Sequence, residues 1–434
     1  MDILSGFFFI SLFVGILFQI SAIMRKLFAT GILMAMFSGI LSGQVKTGIE
    51  VLRGMDFLPL QGKRVGLITN PTGVDSRLRS TIDILFEAPG VELVALYGPE
   101  HGVRGDYPAG ERIDNKIDPG TGVPMFSLYG QTRKPTPDML KGVDVLVYDI
   151  QDIASRSYTY ISTLGLAMEA AAENGIEMMV LDRPNPLGGR KFEGPLVEAS
   201  FISFVSQFPI PYVHGFTVGE LAGFLNGEGK LKDGVKCDLT VIEMKGWTRD
   251  MIFDETGLYW VPSSPHIPHA HSAYYYPVSG IIGELYCINI GVGYTLPFQL
   301  FGTDWLGDAD VLAKNLNTLK LPGVIFRPAH FRPYYTDMQG KSMRGVQVHL
   351  TDVRQAPLSL IQFYVVQEMH KLHPEFRLFE HCSSDRFRMF DQVCGTDRVR
   401  KAFKENYLVS DILGIWTGDI YPFLEQARKY FLYE

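Results

Sequence analysis

The sequence predicts an α/β protein: a parallel sheet covered on both faces by helices, followed by a second, smaller α/β unit. Three observations carry that reading. Between Lys63 and Trp247 short apolar runs alternate with segments of helical periodicity, the pattern of a parallel sheet with crossover helices. From Trp247 to Thr303 the chain turns to Pro, Tyr, Gly and His, and beyond it strand and helix patterns resume. The 434 residues are 46% hydrophobic and 12% aromatic, enough for two cores.

The elements follow in order. Residues 1–43 are strongly apolar, and MRKLFATGILMAMFSGILSGQ has the layout of a secretory signal: a basic pair, an apolar middle, and small residues Ser42 and Gly43 near its end. Met24 is read as the true start. The rival is a membrane anchor, since the two apolar blocks together are long enough to span a bilayer; with cleavage, no permanent span remains. RVGLIT, VELVALYG, VDVLVYDI, EMMVLDR and CDLTVIE read as strands buried on both faces. STIDILFEA, STLGLAMEAAAENG and TVGELAGFLNGEG read as helices, with Asn174-Gly175 and Asn226-Gly227 as stop signals. Residues 44–250 therefore form the first domain. Trp247 to Thr303 reads as a long ordered loop region. DADVLAKNLNTL and SLIQFYVVQEMHKL read as helices, GVIFRPAHF and GVQVHLTD as strands, and residues 251–434 form the second domain. A cleft between the two is the expected pocket.

Composition narrows the function. Charged residues are 20% of the chain without a long run of one sign, and the formal charge is -7. No basic stripe offers itself to nucleic acid or to an anionic membrane surface. The turn after RVGLIT is NPTGVDSRL, which lacks the G-x-G-x-x-G that brings backbone up to a pyrophosphate, and no P-loop pattern occurs. No G-x-S-x-G elbow exists, and Ser263-Ser264 lies in a proline-rich loop. His266, His269 and His271 in HIPHAH have a spacing open to a metal, but Pro268 interrupts it and no H-E-x-x-H helix is present. A sugar-facing loop is the preferred reading, and neither metal nor cofactor is expected. Cys237, Cys287, Cys382 and Cys394 form no C-x-x-C pair. Cys382 and Cys394 are near enough in sequence to pair, or are two buried thiols; the fold is not expected to depend on a disulfide.

In a parallel sheet, ligands gather where the strands end in their C-terminal direction. That rule collects Glu100 and His101 after VELVALYG, within YGPEHGVRG. It collects Asp149, Gln151 and Asp152, then Arg156, Tyr158 and Tyr160, after VDVLVYDI, and Asp182, Arg183 and Asn185 after EMMVL. His214 precedes TVGELAGFL. Each has a plainer reading. YGPEHGVRG is also a tight turn facing water, Asp149 a cap for the helix near Ser157, Arg183 a partner of Asp182, and His214 a donor to a carbonyl.

YGPEHGVRG, VYDIQDIASRSYTYISTL, LDRPNPLGG and HGFTVGELAGFLN resemble, in order and spacing, the motifs of the exo-β-N-acetylmuramidase family formerly called the DUF1343 domain, over roughly residues 47 to 434. The resemblance implies a Rossmann-like parallel-sheet domain joined to a smaller α/β domain with the active cleft between them. It implies an exported glycoside hydrolase that releases terminal N-acetylmuramic acid (MurNAc) from the non-reducing ends of peptidoglycan-derived saccharides. The family's glutamate in G-P-E-H-G corresponds to Glu100. On this reading the catalytic candidates are Glu100, His101, Asp149 and Asp152. The substrate-binding candidates are Arg104, Gln151, Arg156, Tyr158, Arg183, Asn185, His214, Ser264, His266 and Glu284, with Arg156 or Arg183 on the lactyl carboxylate. Two segments depart from the family. His266 stands where many relatives have Asn, and in ELYCINIGVGYT Glu284 is kept while Ile290 and Val292 replace a Glu and an Arg. A non-hydrolytic glycan-binding protein, or a glycosidase for another acidic or acylated sugar, are the alternatives.

Overall fold

In the computed structural model, residues 44–100, 102–105 and 116–434 are described. Strands β1 (Arg64–Thr69), β2 (Glu92–Gly98), β3 (Lys116–Ile117), β4 (Pro124–Ser127), β5 (Val145–Asp149), β6 (Glu177–Leu181) and β7 (Leu239–Ile242) form one sheet in the order β3-β4-β2-β1-β5-β6-β7. All neighbours are parallel except β3, which runs antiparallel to β4 at the edge. Every residue of β5 is buried, and so is every residue of β1 after Arg64. That explains why these strands read as unbroken apolar runs rather than alternating ones. Strand order runs outward in both directions from the β1–β5 pair, so the chain reverses there, and the loops after these strands open the crevice where such sheets bind ligands.

The helices of this layer are α1 (Gly48–Gly54), α2 (Thr81–Phe86), α3 (Tyr160–Asn174) and α4 (Val218–Gly227). α3 ends where Asn174-Gly175 predicts, with Gly175 left-handed at φ 63°. Thr217 and Glu220 close a capping box on α4, with 3.1 Å bonds in each direction.

The second layer is a three-stranded antiparallel sheet, β8 (Leu300–Thr303), β10 (Met343–Leu350) and β9 (Val324–Phe331) in that spatial order. Buried and exposed residues alternate along much of β9, as in a sheet with one face in water. Helices α5 (Ala270–Gly283), α6 (Ala309–Thr318) and α7 (Ile361–Leu372) pack with it. The chain then winds through α8 (Leu378–His381), α9 (Phe387–Cys394), α10 (Arg398–Asn406), α11 (Ser410–Thr417) and α12 (Ile420–Ala427). Val45–Glu434 forms one compact unit. Its last residues return to the first sheet, where Phe423 and Ala427 enter the core of α3 and α4 and the Tyr433 hydroxyl donates to Asp182 at 2.5 Å.

Two expectations are corrected. AHSAYYYPVSGIIG, within the segment read as loop, is the helix α5 with Pro277 inside it. Its apolar residues Ala273, Val278, Ile281 and Ile282 are wholly buried, and that burial overrides the low propensity of the Pro and Tyr residues. Cys382 pairs with Cys287, 95 residues away and 5.5 Å between Cα atoms, not with Cys394. Cys394 ends the helix α9, buried and away from this bridge as a free thiol. Cys237 is also free and buried.

Candidate active site

The loop after β2 presents Glu100. Gly102 is left-handed at φ 76°, and its N–H donates to the Pro99 carbonyl at 3.0 Å, closing a tight turn. A Cβ on Gly98 would lie 2.9 Å from the Val103 nitrogen, so both glycines are needed for the chain to fold back on itself. The Gly98 carbonyl accepts from Leu128 N–H at 2.8 Å, which ties the loop after β4 to this turn and brings Tyr129 beside Glu100. Burial, and then the Glu100 carboxylate, push the Tyr129 hydroxyl up to about 12. Tyr160, at the start of α3, is also within electrostatic reach of Glu100.

These residues line a cleft of about 700 Å³ together with Arg133, Tyr158, Ser264, His266, Tyr276 and Glu284. The Tyr158 hydroxyl meets Ser263 Oγ at 2.8 Å, and Tyr160 donates to the Ser263 carbonyl at 2.5 Å. The strand-end loop after β5 is thereby bound to the SSPHIP loop. His266 Nε2 lies 2.8 Å from the Tyr335 hydroxyl. Glu284 follows α5 and pairs with Arg386 at 3.0 Å. Burial raises its carboxyl above the ordinary carboxylate range and outweighs the opposing charge of Arg386. His266, Tyr276, Glu284, Tyr286 and Phe298 also border an adjoining chamber of about 500 Å³, whose wall includes Ile288, Ile290 and Val292.

Of the candidates named from sequence, Glu100, Tyr158, Ser264, His266 and Glu284 share this cleft. His101 lies outside the described residues. The others do not line this cleft and are engaged within the fold. Arg156 is fully buried, donating to the carbonyls of Pro195, Ile210 and Val393 at 2.6–2.8 Å and to Ser206 Oγ at 3.1 Å. Burial lowers it to about 10, still a cation at neutral pH, but it faces no cleft. Arg183 is forked onto Asp149 at 2.5 and 3.0 Å, and Thr81 also donates to that carboxylate; neither Asp149 nor Arg183 lines the cleft. Arg104 is held by Asp118 at 2.9 and 3.0 Å beside a different hollow. The Gln151 and Asn185 amides are used on backbone carbonyls. Asp152 and His214 are buried against each other at 3.3 Å. Arg156, Gln151 and Asn185 satisfy backbone carbonyls of the loops that fold over the strand ends, whereas Arg104, Asp149 and Arg183 are held by side-chain ion pairs.

Sequence reasoning missed Tyr129 and Arg133. They follow β4, a strand of four residues with only Ser127 buried, too short to register as an apolar run. The Gly- and Pro-rich loop SLYGQTRKPTP was its only signal. HIPHAH does not converge. His269 begins α5 and His271 pairs with Asp254 at 3.1 Å, and no group of three His, Cys, Asp or Glu among the described residues is placed to hold a metal.

The family models for the N-terminal and C-terminal parts of the exo-β-N-acetylmuramidase NamZ match residues 65–271 and 274–433. The chain belongs to the NamZ family. It is 45% identical over 390 residues, 90% of this chain and 92% of the other, to the peptidoglycan β-N-acetylmuramidase NamZ of Bacillus subtilis strain 168. Two DUF1343 family crystal structures from Bacteroides fragilis NCTC 9343 superpose on it. One has a TM-score of 0.87 at 58% identity, the other 0.73 at 30%, each covering 90% of this chain and 99% of the other. The two NamZ family models meet between residues 271 and 274, inside α5, the helix that leads to Glu284.

Proposed function

We propose that the protein is an exo-acting glycoside hydrolase that releases MurNAc from the non-reducing ends of peptidoglycan fragments. The observation that carries this is the placement of two carboxyl groups, Glu100 and Glu284, on one cleft in a NamZ-family chain. Glycoside hydrolysis needs one carboxyl group to protonate the departing oxygen and a second to act at the anomeric centre. Burial raises the Glu284 carboxyl above the usual carboxylate range, the direction that suits the first role. Glu100, flanked by Tyr129 and Tyr160, takes the second. Aromatic rings of Tyr158, Tyr276 and Phe298 offer flat apolar faces to a sugar ring. We infer export as well, supported by the signal-like layout of residues 24–43 and by the Cys287–Cys382 bridge, since such bridges persist in oxidising compartments. Among the described residues no helix is long and apolar enough to cross a membrane.

The test is incubation of the purified chain, without residues 1–43, with MurNAc-capped and GlcNAc-capped disaccharides. Release of reducing MurNAc from the first is expected. Binding without release would mark a glycan-binding protein on this scaffold.

A further inference from the structure

We propose that Arg133 is the residue that selects an acidic sugar, by gripping its carboxylate at the Glu100 end of the cleft. The inference rests on the glycosidase reading for the identity of the sugar but not for the charge it reads. Arg133 is the one guanidinium or ammonium group among the described residues lining the 700 Å³ cleft. It has no hydrogen-bond or ion-pair partner among them, whereas Arg104, Arg156, Arg183 and Arg386 are each held by protein groups.

Its side chain is nevertheless positioned. The guanidinium lies 4.3 Å from the centre of the Phe204 ring, a contact that steadies the group while leaving its N–H edge for a ligand. Its charge is felt at Tyr129, the neighbour of Glu100, so the cation and the carboxylate belong to one end of the cleft. The adjoining 500 Å³ chamber, beyond Glu284, is lined by Ile288, Ile290, Val292 and Asp337, with no Arg or Lys among the described residues that line it. The cleft is therefore polarised. An acidic sugar is drawn to the Arg133 end, and the neutral GlcNAc that follows it lies toward Glu284 and the adjoining chamber. MurNAc carries its charge on the lactyl ether, which GlcNAc lacks, so a forked donor there reads the difference between the two sugars of the polymer.

Equilibrium binding tests this without depending on turnover. Titration calorimetry with free MurNAc and with its neutral lactyl amide is run on the wild type, Arg133→Met and Arg133→Lys. The wild type should bind the acid about tenfold or more tighter than the amide. Arg133→Met should bind the acid about tenfold or more weaker and no longer prefer it over the amide, and Arg133→Lys should fall between because a point charge replaces the fork. A wild type indifferent to the amide, or an Arg133→Met protein that keeps the preference, overturns the inference. Absence of sugar release in the separate turnover assay would instead count against the hydrolase reading.

Discussion

At the residue scale, the structure separates groups that line the cleft from groups engaged within the fold. Glu100 stands on a turn closed by two glycines, and the amide of Glu100→Gln would fit the same space without cycling a proton. That variant should retain its melting temperature and lose about a hundredfold or more in kcat on an unactivated glycoside. Retention of half the wild-type rate would remove Glu100 from the mechanism. Glu284 gives a pH-dependent prediction. Its folded-state pKa is raised, so its proton and the associated stabilisation are fully present below the unfolded value and lost as pH rises through the folded one. Activity that needs this proton falls on the alkaline side. Because Arg386 pulls the carboxyl downward, Arg386→Met should move the alkaline limb of the kcat profile to higher pH. A limb that stays in place would assign the proton to another group.

At the scale of elements, the segment after α5 is held by more than its hydrogen bonds. Tyr286 is left-handed at φ 54°, Arg386 sits 4.2 Å over its ring, and the next residue is bridged to Cys382. Arg386 lies four residues beyond that cysteine, so the disulfide and the Arg386–Glu284 pair fasten the same two segments. The double variant Cys287→Ser, Cys382→Ser should lose about 2–4 kcal/mol of stability, as for the closure of a long loop, measured by urea denaturation without reductant. Its KM should rise as the Glu284 wall loosens. An unchanged denaturation midpoint would show that packing alone holds these segments.

At the scale of the molecule, Arg156 joins parts of the chain that are remote in sequence. Its guanidinium reaches carbonyls at Pro195, Ile210 and Val393, tying the loop after β5 to the C-terminal helices around one buried charge. Arg156→Met would leave several buried carbonyls without donors. It should cost about 3 kcal/mol or more while the ratio of MurNAc to GlcNAc turnover stays as in the wild type. A change in that ratio with unaltered stability would return Arg156 to the substrate. The C-terminal tail acts at the same scale, since Leu432 N–H donates to Glu220 and Tyr433 to Asp182, both acceptors within the first sheet's layer.

What the sequence determined by itself was local. The five apolar runs became the parallel strands β1, β2, β5, β6 and β7; β1 and β5 are apolar throughout because both faces are buried, whereas edge strand β7, also expected to be buried on both faces, keeps only Ile242 buried. Asn174-Gly175 ended α3, and Glu100 was legible because a carboxylate on a glycine-bracketed strand end has little other use. The tertiary structure decided which polar groups faced the cleft. Asp149, Asp152, Arg156 and Arg183 occupy the same sheet edge as the cleft, yet each is consumed by a partner from a distant segment, and no local pattern encodes such a partner. Arg133 and Tyr129 enter the cleft because β4, a four-residue strand, pairs with β2 and carries its loop beside Glu100. Likewise α5 forms because packing outweighs propensity, and Cys287 finds Cys382 across 95 residues. Strand burial depends on neighbours a few residues away, whereas the unpaired state of a side chain depends on every segment that folds over it.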